Sequence, residues 1–214
     1  MKPYRVLIFD WDGTLADSTA QIVSRVQTSF SEFGRTPPSE TAIRDIIGLG
    51  LHDALRRLCP DLNDRQITEI GRMYQTDRFH HSQPDTLFER AHDILRQLQQ
   101  HYWLAVATGR GRRKLDAGLA DTGTRPLFLA TRTADECASK PQPEMVLSIC
   151  NELGVHPREA LVIGDTTHDL QMAANARSPA VSVTTGAHTP EQLQTVPHLA
   201  MFNGLPDLAA WLAE

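Results

Sequence analysis

Two carboxylates, Asp10 and Asp12, stand where the apolar run Val6-Leu7-Ile8-Phe9 meets the turn-forming pair Gly13-Thr14. Carboxylates this close repel one another unless a cation or a shared proton relieves them, so the spacing points to a metal site, an acid/base pair or both. Three further segments carry complementary groups. Thr108-Gly109 follows the apolar run at 104–107 and offers a hydroxyl and an unhindered backbone N–H at a helix start, where anions are favoured. Asp165 and Asp169 follow the run at 161–164 and add hard oxygen donors of the kind that suits Mg²⁺. Lys140, in Ser139-Lys140-Pro141, offers an ammonium to the same site.

These groups can cooperate only if strand ends are brought side by side. The continuous apolar run at 6–9 reads as a parallel strand buried on both faces, and open α/β sheets hold ligands beyond the carboxyl ends of such strands. From about residue 87 onward, candidate strands at 104–107, 127–131, 161–164 and 180–184 alternate with helical patterns at 91–100, 112–120, 143–153 and 169–176, and a final helix is expected at 205–212. Between 17 and 84 the spacing is helical throughout, with Ile22, Val23, Val26, Phe30 and Phe33 on one stripe, Leu51, Ala54, Leu55 and Leu58 on another, and Ile67, Ile70 and Tyr74 on a third. The expected fold is therefore α/β, a doubly wound parallel, Rossmann-like sheet as core at 1–16 and 85–214, with an inserted α-helical cap at 17–84.

Composition narrows the class. The chain has 214 residues, 41% hydrophobic and 22% charged, which is ordinary for a globular protein with a sizeable core. A formal charge of -5 gives no general attraction to nucleic acid or anionic membranes, and the single basic cluster, 110–114, reads as a solvated helix start. Cys59, Cys137 and Cys150 are odd in number and lack metal-ligand spacing, which fits a reducing compartment. No signal-peptide core and no membrane-length apolar stretch is present, so a cytoplasmic location is expected.

Taken in order, Asp-x-Asp-Gly-Thr at 10–14, Thr108, Lys140 and Gly-Asp-x-x-x-Asp at 164–169 resemble the motifs of the haloacid dehalogenase superfamily of aspartate-nucleophile phosphotransferases. The insertion after the first motif is similar to the cap of its phosphoglycolate phosphatase-like branch. The dehalogenases themselves lack the second aspartate, so Asp12 points to phosphoryl chemistry. The resemblance implies a Mg²⁺-dependent phosphatase acting on a small phosphorylated metabolite. Asp10 would attack phosphorus, and Asp12 would act first as acid, then as base. The ion would be held by Asp10, the Asp12 carbonyl and Asp165, with Asp169 completing or orienting the shell. Thr108, Gly109 and Lys140 would hold the transferring group. The resemblance also assigns substrate selection to the cap, here Gly48, Leu49, Gly50 and His52, with Arg44, Arg56 and Arg57 available to an acidic substrate.

Three departures from the usual pattern stand out: Trp11 in place of an aliphatic residue, Phe88-Glu89-Arg90 in place of a Pro-Gly turn, and Ala176-Arg177 without a glycine. Trp11 reads as packing beside the site. His168, His188 and the pair His80-His81 form no metal-ligand constellation and read as packing or surface residues. Two other functions use the same residues. A sugar phosphomutase would return the phosphoryl group to its substrate, and a phospho-aspartate signalling receiver would keep it; the cap and Asp12 argue against the receiver.

Overall fold

The computed structural model describes residues 2–76 and 84–214. Among them, parallel strands β1 (Val6–Phe9), β2 (Trp103–Thr108), β3 (Ala130–Thr133), β4 (Ala160–Gly164), β5 (Ala180–Val183) and β6 (Met201–Phe202) form a 6-stranded sheet ordered β3-β2-β1-β4-β5-β6. Period-2 alternation makes every residue of β1 useful. Leu7 and Phe9 enter one apolar cluster with Leu104, Val106, Leu161 and Ile163, while Val6 and Ile8 enter a second with Ala105, Ala107, Ala160 and Val162. A strand apolar on both sides fits only the middle of a covered sheet.

The helices between β1 and β2 build a separate apolar centre. Helices α1 (Thr19–Glu32), α2 (Glu40–Arg44), α3 (Leu51–Leu58) and α4 (Asp64–Gln75) pack around Val26, Phe30, Ile43, Leu55, Ile67 and Ile70. Local chemistry sets their starts: the Ser39 hydroxyl accepts from the Ala42 N–H, and Asn63 with Gln66 forms a capping box at α4. The two connections to the sheet run together, with the Asp17 N–H on the Thr86 carbonyl at 2.9 Å and the Phe88 N–H on the Leu15 carbonyl at 3.0 Å. Helices α5 (Ala91–Leu98), α6 (Arg112–Asp121) and α10 (Leu205–Ala213) cover the first face of the sheet. Helices α7 (Glu144–Leu153), α8 (Thr167–Ala176) and the short α9 (Pro190–Leu193) cover the second.

The register decides where chemistry collects. Phe9 pairs with Val106 on one side and Ile163 on the other, so Asp10, Thr108 and Asp165 emerge at one sheet edge. That edge is also where strand order reverses, the place where open α/β sheets bind ligands.

Some expected boundaries move. The strand expected at 127–131 begins at Ala130, because Arg125–Leu127 forms a 3-10 turn around Pro126. Leu127 and Phe128 bury themselves in the core from that turn, so apolar character there reports packing rather than strand. The helix expected from 169 begins at Thr167, with Thr166 as its N-cap, and the strand expected to reach 184 ends at Val183. Helix α2 and strand β6 are too short to leave a periodic signal.

Candidate active site

Asp10 is 2% exposed, in the turn after β1. Its Oδ1 accepts the Trp11 N–H at 2.7 Å and lies 2.8 Å from the Lys140 ammonium, whereas its Oδ2 is buried and receives no hydrogen bond from any described residue. Burial is the largest influence on this carboxyl and raises its pKa well above the ordinary value; Lys140 opposes the rise, and Asp169 and Asp165 add to it. Lys140 donates to Asp169 Oδ1 at 2.6 Å and is itself buried. Burial lowers its pKa, but Asp10 and Asp169 more than offset this and raise it above the ordinary value.

Asp165 is placed by two loops. The Thr14 hydroxyl donates to its Oδ1 at 2.7 Å and the Ala187 N–H to its Oδ2 at 2.8 Å. Gly13, at φ +78°, and Gly186 bring backbone so near that a Cβ on either would collide with this carboxylate. Burial first, then Asp169, pushes the Asp165 pKa up to about 7. Asp169 sits in the first turn of α8, where its Oδ2 accepts the Thr166 hydroxyl at 2.7 Å and the Thr166 N–H at 3.1 Å. It thus caps a helix, orients Lys140 and belongs to the acidic cluster at once.

Asp12 faces away from that cluster toward the cap. Arg110 grips it through Nε on Oδ2 at 2.8 Å and Nη2 on Oδ1 at 2.5 Å, and the Ser18 hydroxyl donates to Oδ1 at 2.5 Å. Arg110 also pairs with Asp85, which accepts the Trp11 indole N–H at 3.0 Å. Burial would raise the Asp12 pKa, but the guanidinium charge and hydrogen bonds outweigh it and hold the carboxyl below its usual range. Arg110, with 8% side-chain exposure, corrects the reading of 110–114 as wholly solvated. Tandem basic residues look like a surface stripe in sequence, yet this one leaves β2 on the same edge as Asp12. Ser18 and Asp85 were likewise invisible, because both lie in connections whose pairing only the fold creates.

Carboxylate oxygens of Asp10, Asp165 and Asp169 can all lie within 4.8 Å of one another. Three buried carboxylates around the Lys140 ammonium leave excess negative charge, and every donor is a hard oxygen, so the arrangement fits Mg²⁺. Thr108 is fully buried beside this cluster, its Oγ1 accepting the Arg110 N–H at 3.2 Å. Residues 7–183 match the haloacid dehalogenase-like hydrolase family. The chain belongs to that family.

Two curated relatives of this haloacid dehalogenase-like hydrolase carry enzymatic names. "Probable phosphatase IndB" of Dickeya dadantii is 36% identical over 200 residues, 91% of this chain and 86% of that protein. Pyrophosphatase PpaX of Bacillus pumilus is 34% identical over 169 residues, 77% of this chain and 76% of that protein. A crystal structure from Bacteroides fragilis, described as a haloacid dehalogenase-like hydrolase, superposes with a TM-score of 0.88 at 26% identity, covering 96% of this chain and 99% of that one.

In this hydrolase the segment that carries α2 and α3 lies against the edge of the sheet. The Gly50 N–H donates to Ser139 Oγ at 2.8 Å, His168 Nε2 meets the Asp45 carbonyl at 2.9 Å, and Gln192 reaches Asp45 Oδ1 at 2.8 Å. Gly48, at φ +97°, and Leu49 line a cavity of about 490 Å³ beside Asp12, whereas Gly50 and His52 do not. His52 is exposed near Asp53 and Asp64, Arg44 pairs with Glu40 and donates Nη1 to the Gly186 carbonyl at 3.4 Å, and Arg56 pairs with Asp64; none of the three lines that cavity. Trp11 is fully buried and holds Asp85 rather than facing a ligand. His168 and His188 stack edge to face at 5.2 Å, as packing residues. His80-His81 lies outside the described residues.

Proposed function

We propose that this chain is a Mg²⁺-dependent phosphatase of small phosphomonoesters that works through an aspartyl-phosphate. The observation that carries the reading is the asymmetry of Asp10: one oxygen is committed to Lys140 and the Trp11 N–H, and the other is buried and unpartnered. An oxygen held in place without a hydrogen bond is the one available to attack phosphorus. Lys140 and Thr108 would hold the phosphoryl oxygens, with the Gly109 N–H beside them, and offset the repulsion between a carboxylate and a phosphate.

Asp12 is the proposed proton carrier. Its proton would go to the leaving oxygen as the ester P–O bond breaks, and the same carboxylate would then take a proton from the water that hydrolyses the acyl phosphate. The ionised form required for the second step is the one Arg110 holds. A phosphate dianion arriving nearby raises the proton affinity of Asp12, which favours the acid form for the first step. Asp10, Asp165 and the Asp12 carbonyl would hold Mg²⁺, oriented by Asp169, and the ion supplies charge neutralisation around the transferring group.

We further propose residues 1–16 and 85–214 as the catalytic core and 17–84 as the cap that selects the leaving group. Among the described residues no helix is long and apolar enough to cross a membrane, and Cys59, Cys137 and Cys150 form no disulfide. We propose a cytoplasmic location, since three cysteines without a pairing fit a reducing compartment.

The test is phosphate release from a panel of phosphomonoesters with Mg²⁺ or EDTA, for wild type and Asp10→Asn. Release that needs Mg²⁺ and falls at least about 10³-fold in the variant is expected. An isomeric sugar phosphate without free phosphate would replace the reading with a mutase; a phosphorylated protein that persists would replace it with a signalling receiver.

A further inference from the structure

The cavity beside Asp12 is large for the smallest phosphoesters. At about 490 Å³ it lies within the roughly 300–1,000 Å³ of sites that enclose drug-sized ligands, and glycolate would leave most of it to solvent. Because Asp12 lines it, the space is where a leaving group would emerge from the proposed reaction. Its walls are of two kinds. Ile22, Val26, Leu51 and Ala54 present aliphatic surface from α1 and α3, and Arg25 and Lys114 present cations from α1 and α6.

Those cations are incompletely satisfied. Arg25 donates Nη2 to the Tyr74 carbonyl at 2.8 Å and lies 4.8 Å from the Tyr74 ring centroid, but its Nε is buried without a hydrogen-bond partner among the described residues. Leaving a buried donor without an acceptor is costly, so negative charge brought near this guanidinium is favoured. No carboxylate among the described residues pairs with the Lys114 ammonium. Partial burial and then the charge of Arg110, with Arg25 behind them, lower the Lys114 pKa, and the charges of Asp85 and Asp12 offset only part of that shift. The cavity's acids relieve these cations only in part, because each is engaged or remote. Asp12 and Asp85 are spent on Arg110, Asp135 holds the Arg112 N–H and the Thr133 hydroxyl, and Asp121 sits at the opposite end of α6 from Lys114.

We propose that this cavity is a leaving-group subsite for phosphomonoesters with a bulky apolar or aromatic body ending in an anionic group, the body lying on Ile22, Val26, Leu51 and Ala54 and the anion on Arg25 and Lys114. The inference rests on the phosphatase reading and narrows its substrate class. An anionic end group between the Arg25 guanidinium and the Lys114 ammonium is attracted by both charges, and the aliphatic wall rewards a body larger than two carbons.

The experiment compares 4-(carboxymethyl)phenyl phosphate with 4-methylphenyl phosphate, whose leaving groups are of near-equal basicity, and with phosphoglycolate. The expected kcat/KM for the carboxylate ester exceeds both others at least tenfold, mainly through KM. Lys114→Gln and Arg25→Gln should each shrink the carboxylate-over-methyl preference at least tenfold, with Arg25→Lys retaining part of it. Equal kcat/KM for the two aryl esters, phosphoglycolate as the fastest substrate, or variants that slow both aryl esters alike would each overturn the subsite. Calorimetric binding of 4-hydroxyphenylacetate, against 4-methylphenol, reads the same subsite without turnover. Selective binding that Lys114→Gln weakens tenfold, with no phosphate released from any ester, upholds the subsite and removes the phosphatase reading; phosphate release without selective binding does the reverse.

Discussion

Arg110 shows how one side chain can set the state of another. It lies between two carboxylates whose side chains are 10% and 6% exposed, Asp12 and Asp85, and its own pKa is raised because both charges outweigh its burial. Removing one member of such a group strands buried charge, which costs more than the pair contributes. Arg110→Ala should lower stability by about 3–5 kcal/mol in urea denaturation. A loss below about 1 kcal/mol would mean that Asp12 and Asp85 find water or another donor. Asp165 sets a second expectation at this scale. Its folded pKa of about 7 lies above the ordinary 3.8, so between these values the metal-free folded state binds more protons than the unfolded chain, and stability falls as pH rises through that window. Mg²⁺ selects the ionised carboxylates, so the rise in Tm on adding Mg²⁺ should be larger at pH 8 than at pH 5. Equal rises at the two pH values would remove Asp165 from the proposed metal site.

At the scale of elements, the two missing glycines have structural counterparts. Arg90 and Arg177, in the segments where the family pattern departs, are the non-glycine residues with positive φ among those described, at 62° and 58°. Arg177 is the C-cap of α8, a position at which glycine is favoured because it has no Cβ to strain in the left-handed region. Arg177→Gly should recover about 0.5–1 kcal/mol, after the added chain entropy is subtracted, and raise Tm by about 1–3 °C. A fall in Tm would show that the arginine's contacts outweigh its backbone strain. The apolar runs and turn residues made β1, β2, β4 and most core helices legible, because strand burial and helical spacing are local properties. Strand β3 was displaced because Pro126 diverts an apolar pair into a turn that still packs in the core.

For the whole molecule, the proposed function rests on how helices α1–α4 meet the sheet edge. A Cβ at Gly109 would meet the Gly48 and Leu49 carbonyl oxygens at 2.5 Å, and both are backbone atoms that cannot rotate away. Gly109→Ala should therefore leave the core folded, push the cap outward and reduce phosphate release at least tenfold, with a larger radius of gyration in solution scattering. Unchanged scattering with unchanged activity would show that the cap need not approach this closely. The close fit also explains why Gly48 and Leu49 reach the cavity whereas Gly50 is used to dock on Ser139.

The amino-acid sequence by itself picked out the candidate residues of the sheet edge: Asp10, Asp12, Thr108, Lys140, Asp165 and Asp169 are each announced by a residue type near the end of an apolar run or ahead of a helix, and such signals are local. It also determined the class of fold, since alternating strand and helix patterns admit few arrangements other than a doubly wound sheet. Only the tertiary structure decided the partners. Arg110 reaches Asp12 and Asp85 across 98 and 25 positions of chain, and Lys140 reaches Asp169 across 29. Arg25 and Lys114 share a cavity although one lies in α1 and the other in α6. A charged side chain carries no mark of its partner in sequence; partners are assigned when packing removes water and leaves each buried charge a limited set of groups within reach.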